Sequence, residues 1–293
     1  LIKMIRIIPR ELIKHLEWVP GQQPPKQEPP VPVSIPQNSS QYSLDDILHG
    51  RTFYDGKLPV ALRQALEYAG REGIVATMPE FIAAKIKADK SHNFWKEWYA
   101  VHTEENIGHD KNGRFYQKNE PVLVLVNGGG ILTPERIEQA YSEDLINGSA
   151  KYRDDEFDAL LEGKLPDGTA ISLYKLEEIQ RGVSNLLHRF GVVMPYSIAQ
   201  ETKSGLHKKK EFLENPLVIA RVGGSENLEA YYEKAKDKDG DVGSWYSLNG
   251  RDASQPQGRV LFVYDNCNGL GGKYLGYSGR FVGVAPEAPR ARK

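Results

Sequence analysis

Three runs of β-type apolar residues in this chain end in glycines. Residues 122–126 (VLVLV) lead into Asn127, Gly128, Gly129 and Gly130, and residues 217–220 (LVIA) lead through Arg221 and Val222 into Gly223, Gly224 and Ser225. Residues 260–264 (VLFVY) lead into a turn holding Gly269, Gly271 and Gly272. Glycine at a strand end admits positive φ and lets a ligand approach the backbone. Where a helix follows, its first N–H groups converge on the same spot, and such turns hold phosphates and other anions. Thr133 opens a helix after the first turn and Ser225 after the second, each offering a hydroxyl. The candidate ligand-binding set is therefore Asn127, Gly128, Gly129, Gly130, Thr133, Gly223, Gly224 and Ser225, for a small anionic or nucleotide-like ligand. Neither turn has the GxGxxG or GxxxxGK[ST] spacing of a nucleotide fingerprint. The third places Lys273 beside its glycines, but Tyr274 stands where a magnesium-binding hydroxyl belongs and no helix follows, so it reads as a tight turn. Helix capping and tight turning account for the same residues without a ligand.

Imidazole and carboxylate recur at His102, Glu104, Glu105, His109 and Asp110. These types suit zinc, iron or manganese, and His102, Glu105 and His109 are the weak metal candidates. Their spacing matches no metal motif, and a solvated loop is the expectation. Asp237, Asp239 and Asp241 alternate like calcium ligands, but Val242 and Leu248 occupy the positions of the required glycine and glutamate. No GxSxG is present, and Cys267 between two asparagines could meet a base such as His188 only through tertiary folding. The sequence names no catalytic set and no cofactor.

Aromatic residues with a polar end are unevenly placed: Trp95, Trp98 and Tyr99, then Tyr231, Tyr232, Trp245, Tyr246, Tyr264, Tyr274 and Tyr277. Such rings favour contact surfaces because one end packs while the other donates a hydrogen bond. Rimming the core is the plainer account.

The elements that must position these groups are legible in part. Ser43 with Asp46, Thr77-Met78-Pro79-Glu80 and Thr133-Pro134-Glu135 are helix starts. Helices are expected over 58–70, 78–89, 133–141, 154–161, 176–190 and 228–236, the last capped by Ser225. A further aromatic helix is expected over 93–101. Strands are expected at 122–126, 169–173 and 217–222, with short strands and Gly-rich turns from 245 to 285. Helices and strands mix without a regular βαβ series, which is an α+β fold with an irregular mixed sheet; irregular α/β is the alternative.

The domain plan is an apolar-basic segment at 1–19, a Pro-rich stretch at 20–40 and a globular region over 41–293, with a sub-boundary near 105–120. Prolines at 20, 24, 25, 29, 30, 32 and 36 pre-set an extended arm or spacer, or a ligand for a proline-binding partner. Lys+Arg of 38 against Asp+Glu of 39 gives a net charge of -1, so the surplus that drives general nucleic-acid binding is missing. Basic runs at 207–210 and 290–293 are local exceptions, and the helix pair 58–70 and 78–89 has too long a connection for a DNA-reading helix-turn-helix. No apolar run reaches the roughly 20 residues of a membrane helix, so no membrane partner is expected. A single cysteine leaves no internal disulfide and fits a reducing, cytoplasmic location. Two functions follow: binding of a small anion at the first two glycine turns, or a non-enzymatic interaction or self-association through the Pro-rich arm and an aromatic surface. Nucleic-acid accessory binding through the basic runs is a third and weaker reading.

Overall fold

The computed structural model describes residues 42–183, 186–265 and 268–286. The segments 1–19 and 20–40, Cys267 and the basic tail at 290–293 lie outside the described residues.

Local signals set several helix starts. Ser43 and Asp46 form a reciprocal capping box before the helix Leu44–Leu48. Glu80 accepts the Thr77 N–H at 2.9 Å to open Met78–Lys87, with Pro79 in the first turn. Thr133 accepts from Arg136 N at 3.2 Å to open Pro134–Ser142. The helices Leu58–Ala69 and Asp154–Leu161 also lie where the apolar spacing puts them.

The fold is α+β. A large mixed sheet runs in the order β6 (Ser172–Lys175), β7 (Phe190–Pro195), β4 (Glu120–Asn127), β3 (Tyr99–Asp110), β10 (Gln257–Val263), β11 (Leu270–Gly272), β9 (Val242–Trp245), β8 (Gly205–His207). The short β5 (Ala150–Lys151) also pairs with β10. A second sheet places β12 (Gly279–Val284) between β1 (Arg51–Asp55) and β2 (Ile74–Val75), so the first and last described strands pair antiparallel. β3 and β4 form a long hairpin with Glu104 opposite Val126 and Gly108 opposite Val122. Asp110 shapes its tip, accepting the N–H groups of Arg114, Phe115 and Tyr116 at 3.0, 2.8 and 3.4 Å.

Alternation divides the sheet between two cores. Leu123 and Leu125 enter one with Val192, Met194, Leu261 and Val263. Val122, Val124 and Val126 enter the other with Val193, Val260 and Phe262. The apolar run of β4 is thus buried on both faces, as its composition implies.

Four expected elements differ. Residues 217–222 are not a strand but the helix Pro216–Arg221, opened by Asn215, whose side chain accepts from Leu217 N and Val218 N. Residues 176–190 are not one helix: it spans Leu176–Arg181, stops at Gly182 with φ 88, and Phe190 already belongs to β7. The helix expected over 93–101 is only Asn93–Lys96, and β3 begins at Tyr99. The strand expected at 169–173 lies at Ser172–Lys175, in parallel with β7.

Candidate ligand-binding face and the glycine turns

β3 carries the polar groups that the sequence places in a solvated loop, and it is nearly all buried. Alternation sends its even residues to one side and its odd residues to the other. Glu105 meets Arg221 on one side, both side chains fully buried, with Nε–Oε1 of 2.7 Å. Arg221 also donates to Ser244 Oγ at 3.2 Å, Leu270 O at 3.0 Å and Trp245 O at 2.8 Å. Its guanidinium therefore ties the helix Pro216–Arg221 to β3, β9 and β11. Asn106, on the other side, accepts from Tyr152 Oη at 2.7 Å and donates to Glu104 at 3.0 Å. His102 and Glu105 thus face opposite ways, and His109 stands about 13 Å along the strand from Glu105 at about 3.3 Å per residue. Among the described residues, no group of three His, Cys, Asp or Glu is placed to hold a metal ion.

The first glycine turn meets an anion that belongs to the chain itself. Glu104 accepts the N–H of Ile131 at 2.8 Å and of Leu132 at 2.9 Å. A methyl on Gly130 would collide with that carboxylate. Burial raises the pKa of Glu104 above the usual carboxylate range, against the lowering effect of the Leu132, Ile131 and Asn106 donors. Gly128 and Gly129 take φ 77 and 95, and Gly128 N donates to His102 O at 2.9 Å. Asn127 accepts from Thr103 Oγ1 at 2.8 Å, and Thr133 is spent as a helix cap. A cavity of about 10 Å³ beside Gly129, lined by His102, Thr103 and Glu104, has room for one water. His102 is pushed down to about 3 by burial, helped by His188 and Arg189.

The second glycine turn caps a helix rather than ending a strand. Gly223 takes φ 75, and Gly224 N donates to Ile219 O at 2.9 Å. Ser225 contributes its carbonyl to Leu228 N at 3.1 Å, while Asn227 is the cap residue of Leu228–Ala235. The fold does bring the two turns to one segment. A methyl on Gly223 would sit 3.2 Å from Pro79 and 3.4 Å from Leu186, and one on Gly128 would sit 2.6 Å from Arg189 Cγ. Between them Glu80 bonds His188 Nδ1 at 2.8 Å. Burial raises the Glu80 carboxyl, but His188 and Thr77 outweigh it and leave it below its usual value.

Two lysines of the basic run are matched: Lys208 pairs with Asp241 at 2.9 Å, and Lys209 with Glu229 and Glu233 at 2.7 and 2.9 Å. The Asp237 carboxylate accepts backbone N–H groups from Asp239 and Asp241 at 2.9 and 2.8 Å, so it shapes its own turn.

The aromatic residues divide into two sets. Trp95, Tyr99, Tyr231, Tyr232 and Tyr246 belong to the core, whereas Tyr274 and Tyr277 are 47% and 44% exposed. Tyr54 on β1 joins them at 57%. These rings and the cations beside them form a continuous ladder. Arg280 lies 5.2 Å from the Tyr54 centroid and 5.1 Å from that of Trp98. Lys273 Nζ lies 5.3 Å from Trp98 and 4.5 Å from Tyr277. Tyr277 stacks on Tyr274 at 5.8 Å, and Arg259 sits 4.7 Å from Tyr274 at the buried foot. Phe262 and Tyr264 close round Lys273 at 5.6 and 5.8 Å. Arg259 donates to Ser149 Oγ at 2.7 Å and to Asn147 O, and burial pushes its pKa down to about 10. Tyr54 and Arg280 carry no sequence signal of their own; their strands become neighbours only when β1 pairs with β12, with Tyr54 opposite Arg280.

No helix among the described residues is long and apolar enough to cross a membrane. No family model matches the chain, and no curated protein does. A solved Nanoarchaeota structure, described as the accommodation of massive sequence variation by the C-type lectin fold, is 30% identical with a TM-score of 0.62. The match covers 80% of this chain and 97% of that one. By that identity and coverage, the chain belongs to the C-type lectin fold family.

Proposed function

We propose that this is a non-enzymatic interaction protein that recognises a protein partner through the cation–aromatic ladder. The observation that carries this reading is the continuous run of cation–ring and ring–ring contacts from Arg280 through Trp98, Lys273, Tyr277 and Tyr274 to the buried Arg259. Trp, Tyr and Arg are the residues that dominate binding energy at protein interfaces. Each ring and cation holds its neighbour in place, which lowers the ordering cost on association. The Nanoarchaeota relative accommodates massive sequence variation on its fold. Here too the exposed rings lie outside both cores, so the face is free to serve recognition. The test is selection of a random displayed peptide library on the immobilised protein. Binders should lose affinity on W98A and Y277A and keep it on K209A, a distal control. Binders indifferent to both ladder substitutions refute the reading.

A small anion at Gly128, Gly129 and Gly130 is the second reading. Arg189 Nε, next to that turn, is buried without a hydrogen-bond partner among the described residues. Against it, the Ile131 and Leu132 donors are engaged by Glu104. Inorganic phosphate should raise the melting temperature if this site takes an anion, by the usual mass action; an unchanged melt at millimolar phosphate removes it.

A further inference from the structure

We propose that Lys273 is the anchor of the ladder, and that the partner is a protein segment presenting a carboxylate flanked by apolar or aromatic side chains. This rests on the reading of the ladder as the binding face.

The ladder's three cations are not equivalent. Arg280 pairs with Glu97, and Arg259 is buried and donates to Ser149 and Asn147. The lysines elsewhere that form ion pairs are matched by carboxylates: Lys87 by Asp45, Lys111 by Asp154, Lys208 by Asp241 and Lys236 by Glu233. Lys273 is held differently. Trp98, Phe262, Tyr264 and Tyr277 surround its ammonium at 4.5 to 5.8 Å, and the Asp265 carboxylate acts on it without an ion pair within 4.0 Å among the described residues. The ring faces attract the charge but accept no conventional hydrogen bond from it, so the ammonium keeps donors for an incoming acceptor. The cage also fixes a side chain that is otherwise rich in rotamers, which removes part of the ordering cost of using it.

The charge selects the partner. An incoming cation would find the ring faces already occupied and would be repelled. An incoming carboxylate would meet a fixed, partly desolvated ammonium, where charge-assisted hydrogen bonds are strongest. Tyr274 and Tyr277, exposed and stacked, extend the contact to apolar and aromatic neighbours of that carboxylate. Single-stranded nucleic acid shares the chemistry of anion and stacked ring, but it needs a track of cations along its backbone. Among the described residues the ladder offers one accessible cation without an ion pair, since Arg259 is buried, and Lys208 and Lys209 are paired with carboxylates.

The experiment uses the full chain and three variants, K273M, K273E and W98A, each first checked for an unchanged near-ultraviolet circular dichroism spectrum. A random peptide library is displayed and selected on the wild type and on K273E. The wild-type pool should be enriched in Asp or Glu at one position beside an aromatic residue. Individual peptides should lose about tenfold in affinity on K273M, the weight of a charge-assisted hydrogen bond. The K273E pool should turn to Lys and Arg. Neutral peptides that are lost on W98A but unchanged on K273M overturn the anchor and leave the face standing. Peptides unchanged on both overturn the anchor and the face together. An oligothymidylate that displaces the acidic peptides and binds more tightly than any of them overturns the choice of a protein partner.

Discussion

Replacing Arg221 by Met should be among the most damaging single changes in this protein, although the residue touches no proposed ligand. Its guanidinium is fully buried, 2.7 Å from an equally buried Glu105 carboxylate. Removing one member of a buried pair strands the other and costs about 3–5 kcal/mol. The carbonyls of Trp245 and Leu270 lose a donor as well, at about 1 kcal/mol each. Burial of the Met side chain returns part of this, so a net loss of about 4 kcal/mol is expected, against a total stability of about 5–15 kcal/mol for a domain. The assay is urea unfolding followed by tryptophan fluorescence, with the midpoint compared at constant slope. The double variant R221M/E105L removes both charges and replaces them with apolar volume, so it should recover most of the loss. That rescue keeps the test decisive even if R221M alone fails to fold. A loss below about 1 kcal/mol for R221M, or a double variant no more stable than the single one, would refute the assignment of this pair as the lock between the helix Pro216–Arg221 and β3.

Gly130→Ala should cost about 3 kcal/mol, because the added methyl must displace a hydrogen-bonded, buried Glu104 carboxylate; the same urea titration reads it, and a neutral substitution would mean that the turn does not close on Glu104. Two buried groups should tilt stability against pH in opposite senses. Burial holds the folded pKa of Glu104 above its unfolded value of 4.5, so its contribution is present below that pH and is lost as pH rises. E104Q should therefore gain on the wild type between pH 4 and 8. His102 goes the other way: its folded value of about 3 lies below 6.5, so stability falls on acidification from 6.5 towards 3, and H102N should flatten that slope in thermal melts. Parallel pH profiles for wild type and variants would contradict both assignments.

What the sequence made legible is what local chemistry decides. The reciprocal bonds of Ser43 with Asp46, and the bond of Glu80 to Thr77, span three residues, and the starts they define lie where the capping pattern puts them. Residues 217–220 misled because they are apolar on every side. A helix buried all round shows no stripe, and Leu217, Val218, Ile219 and Ala220 are all buried. The discriminating signal was Asn215-Pro216, a cap followed by proline at the first helical position. The helix expected over 176–190 runs too long for another reason: Gly182 at φ 88 stops it, and Phe190 is drawn into β7 by partners in β4 and β6 that lie elsewhere in the chain. β3 was hidden by its own polar residues. Hydropathy marks Thr103, Glu104, Glu105 and Asn106 as loop, yet each is buried, and Glu105 reaches Arg221 across 116 positions.

A turn that gathers backbone donors round an anion looks alike whether the anion comes from solvent or from the chain, since glycine is required by the closeness of approach in both cases. Here the first such anion is Glu104, which no spacing rule connects with Ile131 and Leu132 because strand pairing sets it opposite Val126 and the glycine turn then brings their N–H groups to it. The polar groups of β3 thus act inward, locking strand to strand and strand to helix at fixed registers. Tyr54, Tyr274 and Tyr277 belong to neither core, although Tyr54 meets the half-buried Trp98 and Tyr274 the buried Arg259. A few buried polar residues thus sit among a core of apolar and aromatic side chains, while three tyrosines stay exposed. The buried polar locks fix the scaffold, and the exposed tyrosines are not needed for either core.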